Sequence, residues 1–168
     1  TAVVESAQCL WNAALVMYGA NQPIEYFTPS ILKTVLKKVD VGSTTFDEMV
    51  SIDAAWQISA YLSAQQLIKD RYITKSMTFH RDSATMKKIY QAKKEAFKNS
   101  DMTALTDDKW NPGDIWAIEK GVNIDKLLDT SSIGALNRKL LQAFEQRMVV
   151  SISLKKVVKS AKSKEYNA

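Results

Sequence analysis

Cysteine, histidine, proline and glycine are all scarce in this chain. With a single cysteine, Cys9, no internal disulfide can form, so a 168-residue chain must rest on a buried core, for which that length suffices. The lone histidine, His80, adjoins Arg81 and Asp82 and has no second ligand at matching spacing, so it reads as a structural or surface residue and not as a metal ligand. Five glycines and three prolines form no glycine-rich phosphate loop, internal repeat or low-complexity tract. No apolar run approaches about 18 residues, so no membrane span is expected. The opening stretch lacks a basic segment and is interrupted by Glu5 and Gln8, so no signal peptide is expected either.

What is present points to a globular domain: 46% hydrophobic residues, 24% charged residues and a net charge of +5. The positive balance is mild, and its meaning depends on where the charge sits. Val4, Ala7, Leu10, Trp11, Ala14, Leu15 and Tyr18 recur at helical spacing, with Glu5, Gln8 and Asn12 along one edge of the stripe. Thr28-Pro29 opens a second helix with a stripe from Ile31 to Val39. Thr45 and Glu48 form a capping box, and the helix they start is expected to run to about Tyr72. The stretch from Ile73 to His80 has extended character, Asp82-Ser83 caps a helix to about Lys98, and residues 99–108 are a loop.

The last third carries the polar groups that burial alone does not require. Pro112-Gly113 is a turn signal, and Ile115-Trp116-Ala117-Ile118 after it is rich in strand formers, so Asp114 sits at the mouth of a strand. Ser131 or Ser132 then caps a helix through Leu136, Leu140 and Phe144, and a second strand follows over Val149 to Lys156. In that strand Ser151, Ser153 and Lys155 alternate with Val150, Ile152 and Leu154. Strand, helix and strand in this order allow a crossover connection with the two strands parallel.

Pro112-Gly113-Asp114 followed by Ser153-Leu154-Lys155 resembles the PD-(D/E)XK nuclease superfamily, with a serine at the place of the motif acid. The wording Lys-Trp-Asn-Pro-Gly-Asp-Ile-Trp followed by Ile-Ser-Leu-Lys-Lys also looks like uncharacterised proteins of large tailed bacteriophages. The resemblance implies a restriction-endonuclease-like α+β fold: one domain over residues 1–168, mainly helical over 1–100, with the nuclease-like motifs in 109–168. It further implies a site in which Asp114 and Glu5 hold Mg²⁺ and in which Lys155, with Ser153 beside it, serves catalysis. Such a site hydrolyses phosphodiesters because the cation acidifies water and a nearby positive charge steadies the phosphorus centre. Asp107 and Asp108 are further acids within reach of the motif.

The tail is the most basic part of the chain, with Lys156, Lys159, Lys162 and Lys164 following Lys155, and these are candidate nucleic-acid contacts. Two readings follow. One is a Mg²⁺-dependent endonuclease acting on DNA; the other is a non-enzymatic virion or nucleic-acid-binding protein that keeps the scaffold without the acid. Either would work in the host cytoplasm or the virion, with DNA and phage virion proteins as partners and no membrane. The lysine run ending at Asn167-Ala168 suggests a piece of a longer chain.

Overall fold

A computed structural model describes residues 2–157, 159 and 161–165. The fold is α+β, with helices on both faces of a small mixed sheet. In chain order the elements are α1 (Ala2–Tyr18), α2 (Pro29–Lys33), β1 (Val39–Asp40), α3 (Phe46–Val50) and α4 (Ala54–Lys69). Then come β2 (Met77–His80), α5 (Ala84–Asn99), α6 (Asp107–Trp110), β3 (Ile115–Glu119), α7 (Ile124–Leu127), α8 (Ile133–Glu145) and β4 (Val149–Ile152).

The strands lie in the order β1-β2-β3-β4, with β1 parallel to β2 and the other two pairs antiparallel. The expected parallel crossover between the two motif strands is therefore wrong. Ile115 faces Ile152 and Ile118 faces Val149, so the strands are direct antiparallel neighbours. The physical reason is that α8 brings the chain back to the end of β3 that it left, since the Glu119 N–H already bonds to the Met148 carbonyl at 2.8 Å. The sheet draws β1 and β2 from the first half of the chain as well as β3 and β4 from the last third.

β3 is apolar without alternation because helices cover both its sides. Ile115 and Ala117 join the core beneath α1, with Leu10, Leu15, Met77 and Phe79. Trp116 and Ile118 join a second core beneath α5 and α8, with Ile89, Phe97 and Leu136. Helix α1 is buried on all sides from Ser6 to Leu15, so Gln8 and Asn12 are not the polar border that their spacing suggests. Gln8 instead donates to the Ala60 carbonyl of α4 at 3.0 Å and to Asn12 at 2.9 Å.

Two helices are shorter than their stripes. The helix started by Thr45 stops at Val50, and Asp53 caps a new one by accepting the Trp56 N–H at 3.0 Å. A carboxylate that satisfies an orphan N–H ends one helix and begins the next. The stripe after Pro29 breaks after Lys33, and its Val39 enters the sheet because β2 offers an edge to pair with.

Lys93 of α5 is 2% exposed and donates both to the Leu105 carbonyl, at 2.8 Å, and to Asp107 Oδ1. This pair takes Asp107 out of play for the motif and pins the loop that delivers it. Asp107→Asn should lower stability by about 1 kcal/mol, since a half-exposed partner is worth less than a buried one. Urea denaturation of the two proteins measures the difference.

Candidate functional site

Three segments distant in sequence converge on an open cleft at the start of β3. Its walls are Glu5, Arg81, Asp82, Met86, Asp108, Gly113 and Asp114. Glu5 comes from the first turn of α1, and Arg81 follows β2 directly. Arg81 is fixed at its backbone by donating to the Asp40 carbonyl at 2.9 Å, and Asp82 turns the chain away with a left-handed φ of 55°. The Arg81 Nε donates to Glu5 Oε1 at 3.2 Å, with both side chains about a quarter exposed.

Asp114 is held from two sides. Its N–H donates to the Ile152 carbonyl at 2.8 Å, and its Oδ2 accepts the Leu154 N–H at 2.7 Å. The second bond ties the aspartate to the residue between Ser153 and Lys155. Behind it, Asn111 Oδ1 accepts from Gly113 N at 3.0 Å and from Ser151 Oγ at 2.6 Å. The turn packs so tightly that a Cβ on Gly113 would lie 1.7 Å from Ser151 Oγ. Glycine is required there by that close approach.

Glu5 and Asp114 line the same cleft, close enough for each carboxyl to feel the other's charge. Burial first, and then the charge of Asp114, push the Glu5 carboxyl above its ordinary value of 4.5, with Arg81 opposing them. The folded state thus holds the Glu5 proton more tightly than the unfolded chain does. That contribution is complete below about pH 4.5 and is lost as pH rises through the raised value. Glu5→Gln should therefore gain melting temperature relative to wild type between pH 4 and pH 7, and thermal melts at the two values test this. An advantage that shrinks toward neutral pH would contradict the carboxyl pairing.

No protein-family model, curated protein or solved structure matches the chain.

Glu5 and Asp114 meet. Ser153 and Lys155 are exposed beyond the end of β4 and are not among the residues lining the cleft. Asp108 does line it. His80 is buried between two hydroxyls, Thr78 Oγ1 at 2.7 Å and Ser83 Oγ at 2.9 Å, and burial holds its pKa below the ordinary histidine value. It is a structural residue of the turn that presents Arg81.

The tail packs on α4. Lys156 Nζ lies 4.9 Å over the Trp56 ring, the Val157 N–H donates to Ser59 Oγ at 2.7 Å, and Tyr72 OH donates to Glu165 at 2.6 Å. Lys156, Val157 and Glu165 therefore lie along α4 toward its C-terminal end and not over Asp114. Lys159 and Lys162 are exposed along this path. Asn167 and Ala168 lie outside the described residues.

Sequence reasoning missed Arg81. It follows a short strand in a polar stretch, and nothing in its spacing relative to Asp114 signals that β2 and β3 are neighbours. Among the described residues no three histidine, cysteine, aspartate or glutamate side chains converge as a ready-made metal cage. The Glu5 and Asp114 pair does fit the sparse protein ligation typical of Mg²⁺, which uses one or two carboxylates and takes its other ligands from water and substrate phosphates. Among the described residues, no helix is long and apolar enough to cross a membrane.

Proposed function

We propose that this chain is a nuclease-like phosphodiesterase domain of bacteriophage type that acts on DNA with Mg²⁺. The observation that carries the reading is the meeting of Glu5 and Asp114 beside Arg81 in one open cleft. Holding two half-buried carboxylates beside each other disfavours the fold, and a bound cation offsets that repulsion. Mg²⁺ held by Glu5 and Asp114 would supply an acidified water and charge neutralisation at phosphorus.

The chain's own groups divide the remaining work. Asp114 is fixed by its bond to Leu154 N–H, so one carboxylate oxygen is oriented while the other is available to the cleft. Arg81 uses Nε on Glu5, which leaves the outer guanidinium nitrogens to meet a phosphate oxygen, a task for which arginine's fork geometry is suited. In this reading Arg81 takes the cationic role expected of Lys155, which stands outside the cleft walls.

The second reading, a binding or virion protein on a degenerate scaffold, draws support from the exposed position of Ser153 and Lys155. Incubating supercoiled and single-stranded DNA with the protein in Mg²⁺, Mn²⁺ or EDTA separates the two. Metal-dependent cleavage that weakens in Arg81→Ala and persists in Lys155→Ala supports the enzyme. No cleavage under any condition leaves the binding protein.

A further inference from the structure

Four lysines from three separate segments gather at the end of the sheet opposite the cleft. Lys37 and Lys38 end the 3-10 turn Leu36–Lys38 that leads into β1, Lys75 lies in the loop before β2, and Lys120 follows β3. Backbone pairing fixes their meeting. The Lys120 N–H donates to the Ser76 carbonyl at 3.0 Å, and Lys38 Nζ donates to the Lys75 carbonyl at 2.6 Å. Lys37, Lys75 and Lys120 are exposed, while Lys38 is half-buried among them.

The electrostatics agree with that geometry. Burial, and then the charges of Lys37, Lys120 and Lys75, hold the Lys38 amine below its ordinary pKa, with Glu119 acting the other way. Glu119 is itself engaged by the Thr74 hydroxyl at 3.4 Å. Like charges brought together by strand pairing disfavour the isolated fold, and a polyanion laid across them removes that cost.

We propose that Lys37, Lys38, Lys75 and Lys120 form a binding surface for the phosphodiester backbone of duplex DNA, distinct from the Glu5 and Asp114 cleft. The inference rests on the nucleic-acid side of the reading above and is independent of catalysis. From Asp114 to Lys120 the strand direction covers about 20 Å at ~3.3 Å per residue, a length of about six base-pair steps in B-form DNA. Lysines on phosphates position a duplex without reading its sequence, so this surface is sequence-independent.

The test is fluorescence anisotropy of a labelled random-sequence 20-base-pair duplex in EDTA, titrated with salt. The variant is Lys37→Gln, Lys75→Gln and Lys120→Gln together, keeping Lys38 because it ties down the Lys75 carbonyl. The control, Lys94→Gln, Lys98→Gln and Lys126→Gln, removes equal charge from exposed positions on α5 and α7. The cluster variant should bind about tenfold or more weakly near 100 mM salt, with the slope of log affinity against log salt reduced by about 2 to 3.

The control should keep most of the affinity, and thermal melts should show all three proteins folded. Equal losses in both variants, wild-type affinity and slope in the cluster variant, or no binding by wild type at low salt would each overturn the proposal. Cleavage of the same duplex in Mg²⁺ separates the two ideas. Cluster-dependent binding without cleavage by any preparation keeps the surface and removes the catalytic reading. Cleavage with no cluster effect on binding does the reverse.

Discussion

Asp114→Asn is expected to reduce Mg²⁺-dependent DNA cleavage on the order of 10²- to 10³-fold, the usual cost of losing one preorganised electrostatic contact. The substitution is chosen to spare the fold. An asparagine Oδ1 can still accept the Leu154 N–H that Asp114 Oδ2 accepts at 2.7 Å, and the backbone bond to the Ile152 carbonyl is untouched. What disappears is the negative charge facing Glu5. Wild type should gain melting temperature on adding Mg²⁺ or Mn²⁺, because a ligand bound to the native state adds stability by mass action, and the variant should gain less. Full cleavage by a folded Asp114→Asn protein would show that the chemistry lies elsewhere.

Gly113→Ala should produce the largest loss of stability predicted for a single added methyl group. Its Cβ would stand 1.7 Å from Ser151 Oγ, 3.0 Å from Ser151 Cβ and 3.1 Å from Asn111 Oδ1. Rotating the serine hydroxyl away breaks its bond to Asn111 and still leaves the Cβ contact, so the β3 and β4 strands must separate locally. Overpacking of this kind costs about 1 to 3 kcal/mol, or a fall of about 2 to 12 °C in melting temperature for a chain of this size.

Because Asp114 is the next residue, cleavage should fall as well. Ser151→Gly removes the obstructing side chain, so the double variant should lose less than the sum of the two single losses. Additive losses, or a Gly113→Ala protein that melts like wild type, would refute the tight packing of this turn.

The contrast between these two neighbours shows what could be read in advance. Asp114 was legible as a strand-mouth acid because Pro112-Gly113 precedes a run of strand formers. The demand for glycine at position 113 was not, because its obstacle, Ser151, lies on another strand. Caps were legible for the same local reason. Thr28, Thr45, Ser83 and Ser132 each accept the N–H three residues on. Asp53 was passed over, since an acid inside a long apolar stripe looks like an exposed helix position until its side chain is seen to accept the Trp56 N–H.

By itself the sequence determined the helix α1, most of the caps, the strand β3 after Pro112-Gly113 and the place of Asp114 at its mouth, while the candidacy of Glu5 came from the family resemblance. The elements and caps follow from periodicity and from side chains acting on their own backbone within a few residues. Tertiary structure alone decided that β3 and β4 pair antiparallel, that Arg81 enters the cleft, that the basic tail follows α4 and that four lysines meet beyond Glu119. Each depends on which strand edges pair across long loops, a choice made by whole-core packing and loop closure that no local spacing encodes.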